Sequence, residues 1–205
     1  YSIIKNYYPI FSICLGFEIL GVLSQYDSVK KAGDKFLERT AIDNIKNYGA
    51  GKLYFTDNKT KMKSIFSKNE INLLREKPCV YYHHKMSFDL NKPYINKIKK
   101  DYTIVSTDKK QDIEYPTAFE SKKFPFYATL YHPEKPLFIH KKGMPKGKAV
   151  EIVSNKLSLF FFNECKKNKN IWIGWDKETD FFIKNYTLHE NKKNTRKKYV
   201  DTPTY

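Results

Sequence analysis

The chain has 205 residues, 38 Lys+Arg against 22 Asp+Glu, and a formal net charge of +16. That length suits one domain with one substantial core, while no apolar stretch is long enough to span a membrane. Three cysteines, without zinc-ligand spacing, are too few for a disulfide framework. The basic excess suits a polyanion, whether nucleic acid, acidic membrane or a poly-carboxylate substrate. The lysines are nevertheless spread along an Asn-, Ile- and Lys-rich chain with no recognition motif beside them, so no nucleic-acid partner is expected.

Taken in order, the first informative stretch is Tyr7 to Leu23, YYPIFSICLGFEILGVL. Pro9, Ile10, Phe11 and Ile13 form a near-continuous apolar run suited to a strand buried on both faces. After Cys14, Gly16 permits close backbone approach, and Leu15, Ile19, Val22 and Leu23 recur at helical spacing. Strand, sharp turn and helix would set Cys14 at a helix N-terminus, where N–H groups and the helix dipole favour a thiolate and can receive an oxyanion. A buried structural cysteine is the alternative.

Gln25 to Tyr48 reads as a surface helix or an irregular insertion, Gly49-Ala50-Gly51 as a breaker, and Lys52 to Phe55 as the start of a strand. Ser64 to Leu74 is compatible with a short helix, and Pro78 to His83 is a β-like run leading to His84-Lys85-Met86-Ser87. In an extended segment His83 and His84 face opposite ways. Tyr102 to Thr107 and Tyr115 to Glu120 read as strands, with a turn over Lys109 to Glu114. Phe124 to Phe138 is an apolar and aromatic run containing His132-Pro133-Glu134. Residues i and i+2 of an extended backbone share a side, so Glu134 can orient the His132 ring as the second and third members of a nucleophile, base and orienter set. The alternative is a surface histidine with Glu134 and Lys135 as solvated charges. Pro136 to Lys148 reads as a loop and Ala149 to Cys165 as a closing helix. Ile171 to Trp175 and Phe181 to Ile183 read as terminal strand or packing segments, and from Asn191 the chain turns polar and basic.

Ser12-Ile13-Cys14-Leu15-Gly16-Phe17-Glu18, His84-Lys85-Met86-Ser87 and Tyr131-His132-Pro133-Glu134-Lys135 together resemble the gamma-glutamyl hydrolase family. That family has a cysteine-peptidase chemistry on the class I glutamine amidotransferase fold, and reads approximately G-T-C-L-G-F-E, H-K-W-S and W-H-P-E-K at these places. Ser12, Met86 and Tyr131 are this chain's departures. Related glutaminase domains carry H-Q where this chain has Phe17-Glu18, which favours a hydrolase over a nitrogen-transferring subunit.

The resemblance implies an α/β, three-layer αβα fold with a mainly parallel sheet whose first strands are missing, the chain being amino-terminally incomplete. It implies a catalytic domain over 1–190 followed by a basic flexible tail over 191–205. Cys14 would be the nucleophile, His132 the general acid and base, Glu134 its orienter, Leu15 N–H an oxyanion donor, and His84 a binding or positioning residue. The implied reaction is hydrolysis of γ-glutamyl bonds, such as those of folylpoly-γ-glutamates, through a thioester and without metal or organic cofactor. A glutaminase domain and a truncated non-catalytic relative are the alternatives. With Cys14 as nucleophile, Cys79 and Cys165 are left free to pair, and homodimerisation is left open. A lysosomal, vacuolar or extracellular location fits the family and two sequons, at Asn58 and Asn185.

Overall fold

The computed structural model describes residues 7–38 and 40–170 and two later strands. The chain divides into a unit of Tyr1–Asn168 and a unit of Lys169–Tyr205.

The first unit opens with strand β1 (Ile10–Ile13), helix α1 (Leu15–Leu23) and helix α2 (Val29–Leu37), the last begun by a Ser28 side chain that caps Lys31 N–H. Strands β2 (Asn47–Gly51) and β3 (Tyr54–Phe55) follow, then helices α3 (Lys61–Ser64) and α4 (Lys68–Glu76). Helix α4 starts where the sequence offers a capping box, with Ser67 and Glu70 each bonding the other's backbone N–H. Next come β4 (Val80–His84), α5 (Ile95–Asp101), β5 (Tyr102–Lys110), β6 (Ile113–Ser121), β7 (Phe126–Thr129) and the long helix α6 (Lys148–Cys165).

Five strands form one sheet in the order β1-β7-β6-β5-β3. Side chains alternate across it, so neighbours such as Ala118 and Phe119, or Tyr127 and Ala128, enter different cores. One face is covered by Phe17 and Val22 of α1, Ala32 of α2, and Ile95 and Ile98 of α5. The other is covered by Met62 of α3, Leu74 of α4, and Val153 and Leu157 of α6. This is the expected α/β sandwich of three layers.

The strand pairing is more antiparallel than expected. Only β1 and β7 run parallel, Ile10 opposite Phe126 and Ile13 opposite Thr129; β7–β6, β6–β5 and β5–β3 are antiparallel. The reason is connection length. Gln111 and Asp112 alone join β5 to β6, and residues 122–125 join β6 to β7, whereas a parallel neighbour needs a crossover of about a dozen residues or more. Within the described residues β1 therefore stands at the sheet's edge, and its residues are half-buried instead of buried on both faces.

The glycines read as a breaker lie inside β2, which pairs antiparallel with β4 in a separate ribbon. Gly51 is needed there because the Tyr82 ring occupies its Cβ position, 2.3 Å from where that atom would be. Cys79 is buried and Cys165 exposed, and both are free, so the pairing left open by the sequence is not made.

In the second unit, β8 (Tyr186–Glu190) pairs antiparallel with β9 (Lys197–Pro203). The two units meet at 168/169, and Lys197–Pro203 forms a strand. Backbone pairing with β8 supplies the order that its polar composition did not suggest. The segments Ile171 to Trp175 and Phe181 to Ile183, with Asn185, lie outside the described residues.

Candidate active site

Cys14 occupies the single residue between β1 and α1, at φ 53° and ψ −104°. A side chain at positive φ is strained. The position is held from both sides. Cys14 N–H donates to Thr129 O at 2.8 Å, extending the β1–β7 ladder, and Cys14 O accepts Glu18 N–H at 3.1 Å, starting the helix. The turn is so tight that a Cβ on Gly16 would sit 3.0 Å from Ser12 Cβ. Ser12, a departure from the family motif, is accommodated against that hydrogen-bearing glycine.

The half-buried Cys14 thiol donates to the His83 carbonyl at 3.7 Å. Burial pushes its pKa up, and the Glu18 charge adds to that. The Leu15 N–H and the Lys135 charge pull it down, and Glu134 pushes it up again. The balance leaves a protonated thiol, which must lose its proton to a base before it can act.

The base candidate comes off the neighbouring parallel strand. His132 lies three residues beyond β7, at the same end of the sheet as Cys14. Its N–H donates to Tyr81 O at 2.9 Å, and Ser154 Oγ on α6 donates to Pro133 O at 2.7 Å, so the segment is pinned by both β4 and α6. His132 Nδ1 lies 2.7 Å from Glu134 Oε1, and Nε2 lies 3.1 Å from Lys135 Nζ. Carboxylate on one side and ammonium on the other assign the neutral ring, with the proton on Nδ1. Burial opposes the Glu134 charge, but the His132 hydrogen bond, a backbone N–H and the Lys135 charge outweigh it and hold the carboxyl low. Thus Cys14, His132 and Glu134 meet at one end of the sheet, but the thiol's hydrogen bond goes to the His83 carbonyl while Lys135 occupies His132 Nε2.

His83 and His84 do face opposite ways. His83 is exposed and stacks on Tyr81 with centroids 6.1 Å apart. His84 is buried, its Nδ1 3.1 Å from Met86 O and its Nε2 without a well-formed hydrogen bond. Burial pushes its pKa down to about 4, against the Met86 and Ile45 carbonyls and with help from His132 and His83. A neutral His84 therefore lies within electrostatic reach of His132, edge-on to Tyr82 and Tyr115. Among the described residues no group of three or more His, Cys, Asp or Glu is placed to hold a metal ion.

Two residues near the site carried no assigned role in the sequence reading. Glu18, one helical turn beyond Cys14, is only 6 % exposed, and burial raises its pKa to about 7. Its signal was the i, i+4 spacing from Cys14. Lys135 directly follows the orienting carboxylate, and nothing in its local sequence distinguishes it from a solvated lysine.

Three mammalian or amoebal proteins illustrate the likeness. Human gamma-glutamyl hydrolase is 27 % identical over 168 residues, covering 80 % of this chain and 50 % of its own. The rat protein of that name is 29 % identical over 183 residues, covering 87 % and 54 %, and gamma-glutamyl hydrolase B of Dictyostelium discoideum is 26 % identical over 170, covering 80 % and 46 %. The chain spans about half the length of these relatives. The family model described as glutamine amidotransferase class-I matches residues 2–152, a span that runs from the cysteine turn through His132 and Glu134 into α6. On that match, laid over a cysteine elbow and a carboxylate-held histidine at the ends of adjacent strands, the chain belongs to the class-I glutamine amidotransferase family.

Proposed function

We propose that the protein is a cysteine-dependent hydrolase of γ-glutamyl bonds, acting on folylpoly-γ-glutamates or related γ-glutamyl peptides. The observation that carries this reading is the Cys14 elbow beside the His132–Glu134 pair in a chain whose relatives are named gamma-glutamyl hydrolase.

Cys14 Sγ gives its proton to His132 Nε2 and attacks the γ-carbonyl carbon, whose oxygen takes the displaced electron pair. Backbone N–H groups at the start of α1, that of Leu15 first among them, hold the oxyanion. The tetrahedral adduct collapses, the C–N bond breaks, and His132 gives its proton to the leaving amine. Water, deprotonated by His132, then cleaves the thioester and restores the thiol. Glu134 keeps the imidazole in the tautomer whose Nε2 carries the lone pair. Buried neutral His84 adds no competing charge near the base.

The test is glutamate release from a γ-linked diglutamyl folate by the protein, its Cys14→Ala variant and its His132→Ala variant, with glutamine as a second substrate. Release by the protein that vanishes in both variants supports the hydrolase. Glutamine turnover without folate turnover moves the assignment to a glutaminase, and inactivity on both removes the catalytic reading.

A further inference from the structure

Lys135 sits in an uncommon place for a cation. The residue is half-buried, its ammonium lies 3.1 Å from a ring nitrogen, His132 Nε2, and among the described residues it takes part in no ion pair. Glu134, its chain neighbour, is committed to the other face of the same imidazole. A second cation stands nearby, since Lys141 Nζ lies 5.2 Å above the Tyr81 ring, whose centroid is 6.5 Å from that of His132. The Lys135 charge is also felt at the Cys14 thiol.

This arrangement blocks the chemistry that the site is otherwise built for. An imidazole nitrogen has one lone pair, and while it accepts from Lys135 it cannot accept from Cys14. The ammonium must leave before His132 can act as a base. A carboxylate is the partner that draws it away, because it adds the attraction of a full opposite charge that a neutral ring nitrogen lacks.

We propose that Lys135 is a positioning residue that couples the base to an anionic substrate: a substrate carboxylate takes the Lys135 ammonium and releases His132 Nε2 to receive the Cys14 proton. This rests on the γ-glutamyl hydrolase reading for its substrate, a γ-glutamyl amide with a free carboxylate beside the scissile bond. The anion response itself does not depend on that reading. When the carboxylate arrives, the Lys135 N–H turns to it, the proton passes from Sγ to Nε2, and a thiolate–imidazolium pair forms. A neutral substrate leaves the ammonium on the ring and the thiol protonated.

Two measurements on the protein, Lys135→Met and Lys135→Arg test this. The first needs no substrate: the rate of Cys14 alkylation by anionic iodoacetate relative to neutral iodoacetamide, read by mass spectrometry, with exposed Cys165 as the internal control. The ratio at Cys14 should fall about fivefold in Lys135→Met, remain near the parent value in Lys135→Arg, and stay constant at Cys165. The second compares kcat/KM for a γ-glutamyl substrate carrying the free carboxylate and for its methyl amide. The parent should favour the free acid in kcat, Lys135→Met should lose most of that preference, and Lys135→Arg should restore it. An unchanged alkylation ratio in Lys135→Met overturns the anion role. A preference seen only in KM overturns the release of the base. A fallen ratio with no hydrolysis in any protein leaves Lys135 as the anion-responsive cation and removes the hydrolase reading.

Discussion

At the scale of single residues, the site is a contest of charges around one thiol. Glu18 is the group whose ionisation matters most. Its folded pKa of about 7 lies above the ordinary 4.5, so the folded state keeps a proton that the unfolded chain has released. Its contribution to stability is therefore greatest below about pH 4.5 and declines as pH rises toward about 7. Glu18→Gln should flatten that decline in thermal melts taken across the window, and should lower the pH midpoint for Cys14 alkylation, because the Glu18 charge opposes the thiolate. Glu134→Gln keeps the shape but weakens the hold on His132 Nδ1. It should reduce kcat by about a hundredfold with little change in melting, the lower end of what general acid–base catalysis contributes. Cys14, His132 and Glu134 were legible as residues because spacing and motif single them out. The burial of Glu18 and the Lys135 contact were not: the first is created by α1 packing on a core distant in sequence, the second by a side-chain rotamer that folds a lysine back onto its own turn.

At the scale of elements, the site depends on how closely α1 can approach its neighbours. A Cβ on Gly21 would lie 2.4 Å from the Phe88 ring, so this glycine lets α1 rest on the segment that follows His84. Gly21→Ala should lower stability by about 1–3 kcal/mol in urea unfolding, the usual range for forcing an extra methyl group into a packed contact. At the far end, Glu164 on the last turn of α6 is buried and accepts from Tyr127 OH at 2.8 Å, from Tyr7 OH and from Lys167 Nζ. That carboxylate fastens α6 to β7 and to the chain entering β1. Glu164→Ala, which strands two tyrosine hydroxyls, should cost about 1–3 kcal/mol by the same measurement. Helices α4 and α6 and strands β4 to β7 could be read from the periodicity of their apolar residues. Helix α5 could not, having seven residues and two buried apolar side chains, Ile95 and Ile98. Strand β2 was hidden by glycines that serve the Tyr82 ring.

At the scale of the molecule, the excess of 38 basic over 22 acidic side chains gives a field rather than a site. Such a field draws a polyanion in proportion to its charge and is screened within about 10 Å at moderate salt. For a γ-glutamyl substrate, KM should rise with added sodium chloride, and more steeply for a chain of several glutamates than for one. Equal slopes for the two would show that the field is not used in binding. No described helix is long and apolar enough to cross a membrane.

The backbone at Cys14 carries a further consequence, for how such a protein would age once idle. A residue with a side chain at φ 53° and ψ −104° is strained, at a penalty of order 1–3 kcal/mol. Glycine relieves most of it. Cys14→Gly should therefore melt higher than the parent, while Cys14→Ser should not. A lineage that no longer needed the thiol would gain stability by drifting away from cysteine at this one position.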